Sequence, residues 1–308
     1  MEYKITIVGA GNVGATAAQY ILEMNIADVV LMDVVQGLAQ GKALDLMQTG
    51  PVRGFDARIT GTEDYKDTEG SSIAVITAGL ARKPGMSRDD LLMKNAEIVK
   101  SITEKIVKIS PGCIIIVVTN PLDVMAYLCC KKSGFSHKKV IGMAGVLDSA
   151  RLRAFVAMEL GVSVRDVEAV VLGGHGDSMV PLPRYTTVSG KPIKELMPED
   201  KINKILDRTK KAGGEIVAYL KTGSAFYSPG ASIALMVESI LKDKKDLLAC
   251  SAYVDGEFGL KDVYIGVPVI LGAGGVSKIV ELKLAPEEKK ALYASAEDVK
   301  RNISKLGI

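Results

Sequence analysis

From Lys4 to about Gly142 short β-branched runs alternate with longer stretches whose apolar residues recur at helical spacing. That alternation predicts βαβ units around a parallel sheet. Strands are expected at Lys4–Val8, Val29–Met32, Arg58–Gly61, Ile73–Thr77, Ile114–Val118 and Val140–Gly142, with helices at Val13–Met24, Leu38–Met47 and Asp89–Ile109 between them. The strands are continuously apolar, as strands covered on both faces must be. Their number and order fit a Rossmann-type, doubly wound α/β fold.

Past Gly145 the texture changes. A helix is expected at Ser149–Leu160, a strand at Glu168–Leu172, an antiparallel meander between Leu247 and Leu282 with turns at Asp255-Gly256 and Gly272–Gly275, and a closing amphipathic helix from Pro286 to Leu306. The pattern therefore predicts two units: a nucleotide-binding domain over 1–145 and an α+β substrate-binding, catalytic domain over 146–308.

Composition adds exclusions. The chain has 308 residues, 48% hydrophobic and 24% charged, which is a globular balance. Its 39 basic and 36 acidic residues are interspersed, leaving a formal charge of +3. No broad basic field exists for nucleic acid or an anionic membrane, so anion binding has to be local. Apolar runs such as Cys113–Val118 are far short of the ~20 residues a membrane helix needs. Cys113, Cys129, Cys130 and Cys250 show no C-x-x-C spacing. They read as reduced thiols of a cytoplasmic protein, and the N-terminus carries no secretion-signal pattern.

Chemistry enters at Gly9-Ala10-Gly11-Asn12-Val13-Gly14, directly after the first strand and opening a helix. In that context the three glycines allow a tight turn, close approach to a diphosphate, and helix–strand packing. Asp33 ends the second strand 19 residues past Gly14, where a carboxylate hydrogen-bonds the ribose hydroxyls and repels a 2′-phosphate. The cofactor expected is NAD rather than NADP, although Asp33 also fits an ordinary polar strand end.

The chain has only two histidines. His137, in Ser-His-Lys-Lys, reads as a solvated loop residue. His175, in Gly173-Gly174-His175-Gly176-Asp177 after an apolar strand, is the candidate acid–base, with a hydrogen-bonded turn histidine as the alternative. Asp148 and Arg151 stand three apart at a helix start and project from one face; one could orient a histidine and the other clamp a carboxylate, though such a pair is more often a surface ion pair. Arg82 and Arg88 flank Pro84-Gly85 in a loop at the carboxyl edge of the sheet, where ligands bind in open α/β folds; a solvated charged loop fits as well. Two distant histidines leave no evident transition-metal site.

Six stretches in order, Gly9–Gly14, Asp33, Ala78–Arg88, Val118-Thr119-Asn120-Pro121, Leu147–Arg151 and Gly174–Asp177, resemble the lactate/malate dehydrogenase family over essentially the whole chain. The closest resemblance is to the lactate-dehydrogenase-like malate dehydrogenases of bacteria and archaea. It implies that His175 is the proton donor and acceptor, that Asp148 orients it, and that Arg151 binds the carboxylate common to the family's substrates. Arg88 would polarise the reacting carbonyl from a mobile loop, and Asn120 would hydrogen-bond near nicotinamide and substrate. Arg82 would pair with the second carboxylate of oxaloacetate, where lactate dehydrogenases typically carry glutamine. Gly9, Gly11, Asn12, Gly14, Asp33, Asn95, Thr119 and Asn120 would contact NAD, and Thr222–Ala225 would help line the substrate pocket. The implied activity is malate/oxaloacetate interconversion by a homo-oligomer, a tetramer rather than a dimer. Turnover of lactate or another 2-hydroxyacid, and a non-enzymatic NAD(H) sensor, stay open as alternatives.

Overall fold

The computed structural model describes residues 1–80 and 86–308. The first half alternates β1 (Lys4–Val8), α1 (Asn12–Met24), β2 (Asp28–Met32), α2 (Leu38–Arg53), β3 (Ile59–Thr62), β4 (Ile73–Ile76), α3 (Arg88–Ile109), β5 (Ile114–Val117), α4 (Leu122–Ser133) and β6 (Val140–Gly142). The six strands are parallel in the order β3-β2-β1-β4-β5-β6, the doubly wound pattern expected from the alternation. Central β4 and β5 are buried at every position, whereas edge strand β3 is not. Burial thus follows the apolar runs: a strand flanked by neighbours and covered by helices has no face for water.

The second half contains α5 (Gly145–Leu160), β7 (Val167–Glu168), β8 (Val171–Leu172), β9 (Val180–Pro181), β10 (Thr187–Val188), β11 (Lys191–Pro192), α6 (Glu199–Leu220), α7 (Tyr227–Leu241), β12 (Asp246–Val254), β13 (Val263–Gly272), β14 (Gly275–Ile279) and α8 (Pro286–Ser304). The antiparallel meander β12-β13-β14 does form, but as a continuation of the first sheet: β12 pairs with β6 at Ser251 and Gly142, giving nine strands in one sheet. A Cβ at Gly142 would stand 2.7 Å from that of Ser251, so the junction closes around a glycine. One hydrophobic cluster accordingly runs from Ile5 through Tyr264 to Ile303, and a smaller one gathers around Leu152, Val156, Ile193 and Ile205.

α5 begins four residues before the expected Ser149 and α4 was not foreseen, and two further local departures have a physical reason. α2 extends through Gly50-Pro51 to Arg53, because the proline falls in the last turn and Gly54 caps the helix in the left-handed conformation. The expected strand at Glu168–Leu172 is two short pieces, β7 pairing with β10 and β8 with β9. Among the described residues no helix is long and apolar enough to cross a membrane.

Candidate active site

At the carboxyl ends of β1 and β4 the chain turns on Gly9, whose φ of +113° and whose absent Cβ, which would lie 2.6 Å from the Ala78 nitrogen, both require glycine. A Cβ on Gly14 would meet the Gly9 carbonyl oxygen at 1.9 Å. Gly11 differs: an added Cβ would have nothing within 4 Å, and the residue faces the cleft. α1 starts at Asn12 without a side-chain cap, so its first-turn N–H groups are left for a ligand. Asp33 sits just past β2, its Oδ2 accepting from the Ala10 N–H at 2.7 Å and its Oδ1 from the Val35 N–H at 3.0 Å. A tight glycine turn, a bare helix N-terminus and a carboxylate at the second strand end are the donors and acceptors a dinucleotide requires, so the residues present fit NAD.

From Asp33 and Val35 the cleft passes Thr77, Gly79 and Leu80 and opens into a cavity lined by Asn120, Leu147, Arg151 and His175. Its floor is tied by buried side chains. Asn95 accepts from the Leu80 N–H at 2.8 Å and donates to the Asn120 carbonyl at 2.8 Å, and Thr119 donates to the Ala78 carbonyl at 2.6 Å. The structure therefore engages both side chains with backbone: they line the cleft while positioning the Leu80 and Asn120 segments. Asn120 itself lines the cavity.

His175 follows β8, and its Nδ1 lies 2.8 Å from Asp148 Oδ2 in the first turn of α5. The other Asp148 oxygen accepts from Arg151 at 3.3 Å, and Asp148 is 2% exposed. The spacing of Asp148 and Arg151 thus serves an internal site rather than a surface ion pair. Arg151 is pulled below the usual arginine range by burial, which Asp148 partly offsets, and its Nε is shut from solvent without a hydrogen-bond partner among the described residues. Such an orphaned donor beside a cavity is suited to an anionic ligand.

Behind the histidine stands a residue the sequence reading missed. Asp123, wholly buried at the start of α4, accepts from the His175 backbone N–H at 2.7 Å and from the Ser251 hydroxyl at 2.7 Å. Burial pushes its carboxyl up, against those two hydrogen bonds. One carboxylate so joins α4, β12 and the histidine loop. The signal was present as an acid inside the apolar run Leu122–Leu128. For His175, burial disfavours the charged ring, but the Asp148 charge and hydrogen bond, with Asp123 behind, outweigh it and raise the pKa.

The remaining expectations divide. Arg88 is the first residue of α3, within the capping box formed by Ser87 and Asp90; its guanidinium is 80% exposed, 3.5 Å from Asp177, and does not line the cavity. Arg82 lies outside the described residues. Ser224 and Ala225 line the cavity as expected, and Lys210, Gly213, Gly214 and Val217 of α6 line it without having been singled out. His137 is exposed, its ring 5.0 Å from that of Tyr253 and remote from the cleft.

Residues 3–142 match the family model for the lactate/malate dehydrogenase NAD binding domain, and 145–307 the model for the lactate/malate dehydrogenase alpha/beta C-terminal domain. The chain is 59% identical over 304 residues to a malate dehydrogenase of Chloroherpeton thalassium, covering 98% of each protein, and 58% identical over 300 residues to one of Thermomicrobium roseum, covering 97% of each. Among solved structures it is similar to the malate dehydrogenase of Salinibacter ruber, with TM-score 0.95, 54% identity and 99% and 97% coverage of the two chains. It is also similar to the Cryptosporidium parvum lactate dehydrogenase complexed with lactic acid and NAD, with TM-score 0.96, 42% identity and 99% and 98% coverage.

Proposed function

The chain belongs to the lactate/malate dehydrogenase family and is an NAD-dependent oxidoreductase, and we propose that it interconverts malate and oxaloacetate with His175 as acid–base. The observation that carries the mechanism is the shared carboxylate of Asp148, which holds His175 Nδ1 on one oxygen and Arg151 on the other. With Nδ1 committed, Nε2 is the nitrogen left to exchange a proton with substrate. The cofactor, when bound, would supply the hydride as NADH or accept it as NAD.

In reduction, protonated His175 delivers its proton to the substrate oxygen as the carbonyl becomes a hydroxyl. In oxidation the neutral ring takes it back, and Asp148 stabilises the imidazolium that forms. Arg151 holds the substrate carboxylate with its planar fork, which fixes the reacting carbon relative to His175. Arg82 is assigned to the second carboxylate and Arg88 to the reacting carbonyl, a role for which its side chain has to leave Asp177 and turn into the cavity. Gly9, Gly11, Asn12, Gly14, Asp33, Asn95, Thr119 and Asn120 form the NAD site, over a division into 1–145 for cofactor and 146–308 for substrate.

Malate is preferred over lactate on the names of the relatives at 58–59% identity and on the arginine at 82, since an unpaired arginine in a closed site would penalise pyruvate. The same reading takes the protein to be a cytoplasmic homo-oligomer, a tetramer. Apolar side chains left 64% and 84% exposed at Leu44 and Val52 of α2 support association. The test is initial-rate NADH oxidation with oxaloacetate and pyruvate in parallel, in the parent and in Arg82→Gln. Preference for oxaloacetate that falls in the variant supports the assignment. Preference for pyruvate in the parent overturns malate, and turnover of neither overturns the enzymatic reading.

A further inference from the structure

One wall of the catalytic cavity is made by α6, which turns Lys210, Gly213, Gly214 and Val217 toward it. Their spacing of three, four and seven places them on a single helix face. The two glycines keep that face low. A Cβ on Gly213 would lie 3.8 Å from an Arg151 terminal nitrogen, and one on Gly214 would touch nothing within 4 Å. Lys210, one turn toward the N-terminus, is half-buried and is the sole charged residue of the stripe.

Among the described residues the other charges at the cavity are balanced by side chains. Arg151 and His175 share Asp148, and Asp177 faces Arg88 at 3.5 Å. Lys210, among the described residues, has no carboxylate within ion-pair distance, unlike its helix neighbours Lys204 and Arg208, which pair with Asp200 and Glu215. Lys210 thus lines the cavity one helical turn from Gly213, which stands against Arg151, and a charge there with no carboxylate partner among the described residues adds positive potential where the substrate enters and sits.

We propose that Lys210 is a specificity-determining residue that favours a dianionic substrate over a monoanionic one. The inference rests on the malate/oxaloacetate reading, because it needs a substrate bearing a second carboxylate. Coulombic attraction scales with ligand charge, so oxaloacetate gains more from Lys210 than pyruvate does. Both carboxylates keep their charge through hydride and proton transfer. The attraction is therefore equal in ground and transition states and acts on KM rather than kcat.

The experiment measures oxaloacetate and pyruvate kinetics for the parent, Lys210→Gln, Lys210→Glu and Lys210→Arg of the full chain at low and high salt, with NADH affinity read by fluorescence. For Lys210→Gln the oxaloacetate KM is expected to rise about threefold to tenfold, as one charge acting through partly screened solvent would give. The rise is larger in Lys210→Glu, smaller with pyruvate and reduced by salt, while kcat stays within about twofold. NADH affinity is unchanged, and Lys210→Arg keeps the parent KM. An unmoved oxaloacetate KM in Lys210→Glu, an equal shift for both substrates, or a shift confined to NADH overturns the role of Lys210 while leaving an oxaloacetate-preferring parent intact. A parent that prefers pyruvate overturns the substrate reading itself, and Lys210 with it.

Discussion

His175 Nδ1 lies 2.8 Å from Asp148 Oδ2, although the two residues stand on a loop and a helix 27 positions apart. Burial opposes the charged ring, but the Asp148 charge and hydrogen bond raise the pKa above the ordinary histidine value. The rate of carbonyl reduction is therefore expected to fall as pH rises through that raised pKa, and the rate of hydroxyl oxidation to rise over the same interval. Asp148→Asn should move both profiles toward acid and lower kcat/KM by about 10²-fold or more, the scale of a disabled general acid–base. Profiles left in place by the variant would detach Asp148 from the proton transfer.

The same pair links stability to pH. A histidine whose folded pKa is raised stabilises the fold fully below the unfolded value of about 6.5, and that contribution disappears as pH rises through the folded pKa. Thermal melts of the parent and Asp148→Asn should therefore differ more near pH 6 than near pH 9, on the order of the histidine's titration range. A difference that grows toward alkaline pH would contradict the assignment.

Asp123 separates charge from connectivity. In Asp123→Ala the His175 N–H and the Ser251 hydroxyl lose their buried acceptor, and a loss of about 2–4 kcal/mol in unfolding free energy is expected. Asp123→Asn can still accept from His175 while donating to Ser251, so most of that stability should return. Denaturant titrations of the two variants check this, and equal loss in both would show that the negative charge, not the hydrogen bonding, holds the three elements together.

Two glycines of one loop should fail differently. At Gly11 an added Cβ meets no protein atom and φ is −64°, so Gly11→Ala should melt with the parent yet bind NADH at least about tenfold more weakly, because the methyl occupies the diphosphate's approach. Gly14→Ala drives a Cβ to 1.9 Å from the Gly9 carbonyl oxygen, so both melting temperature and NADH affinity should drop. Calorimetry and fluorescence titration distinguish them; unimpaired NADH binding by Gly11→Ala would remove the diphosphate from this turn.

Much of the site was legible because its chemistry is local. Gly9, Gly11 and Gly14 follow a strand and open a helix, Asp33 ends the next strand, and Asp148 and Arg151 share a helical face, all relations of near neighbours along the chain. The resemblance then joined these pieces. Asp123 escaped notice because its partners, His175 and Ser251, lie 52 and 128 positions away. Lys210 escaped because nothing in its own helix distinguishes it from the other lysines until α6 is laid against the cavity.

Hydrophobic period and turn residues by themselves determined the six parallel strands, their helices and the cofactor loop, because backbone conformation responds to nearest neighbours and to the face each side chain must bury. They also foresaw an antiparallel meander after Leu247. Only the tertiary structure decided that this meander joins β6 at Ser251 and Gly142 in one sheet, that Asn95 and Thr119 spend their polar atoms on the Leu80, Asn120 and Ala78 backbone, and that Arg88 faces Asp177 outside the cavity. Those outcomes depend on which distant edge, donor or charge remains unsatisfied when the core closes, and unsatisfied groups exist only in the assembled fold.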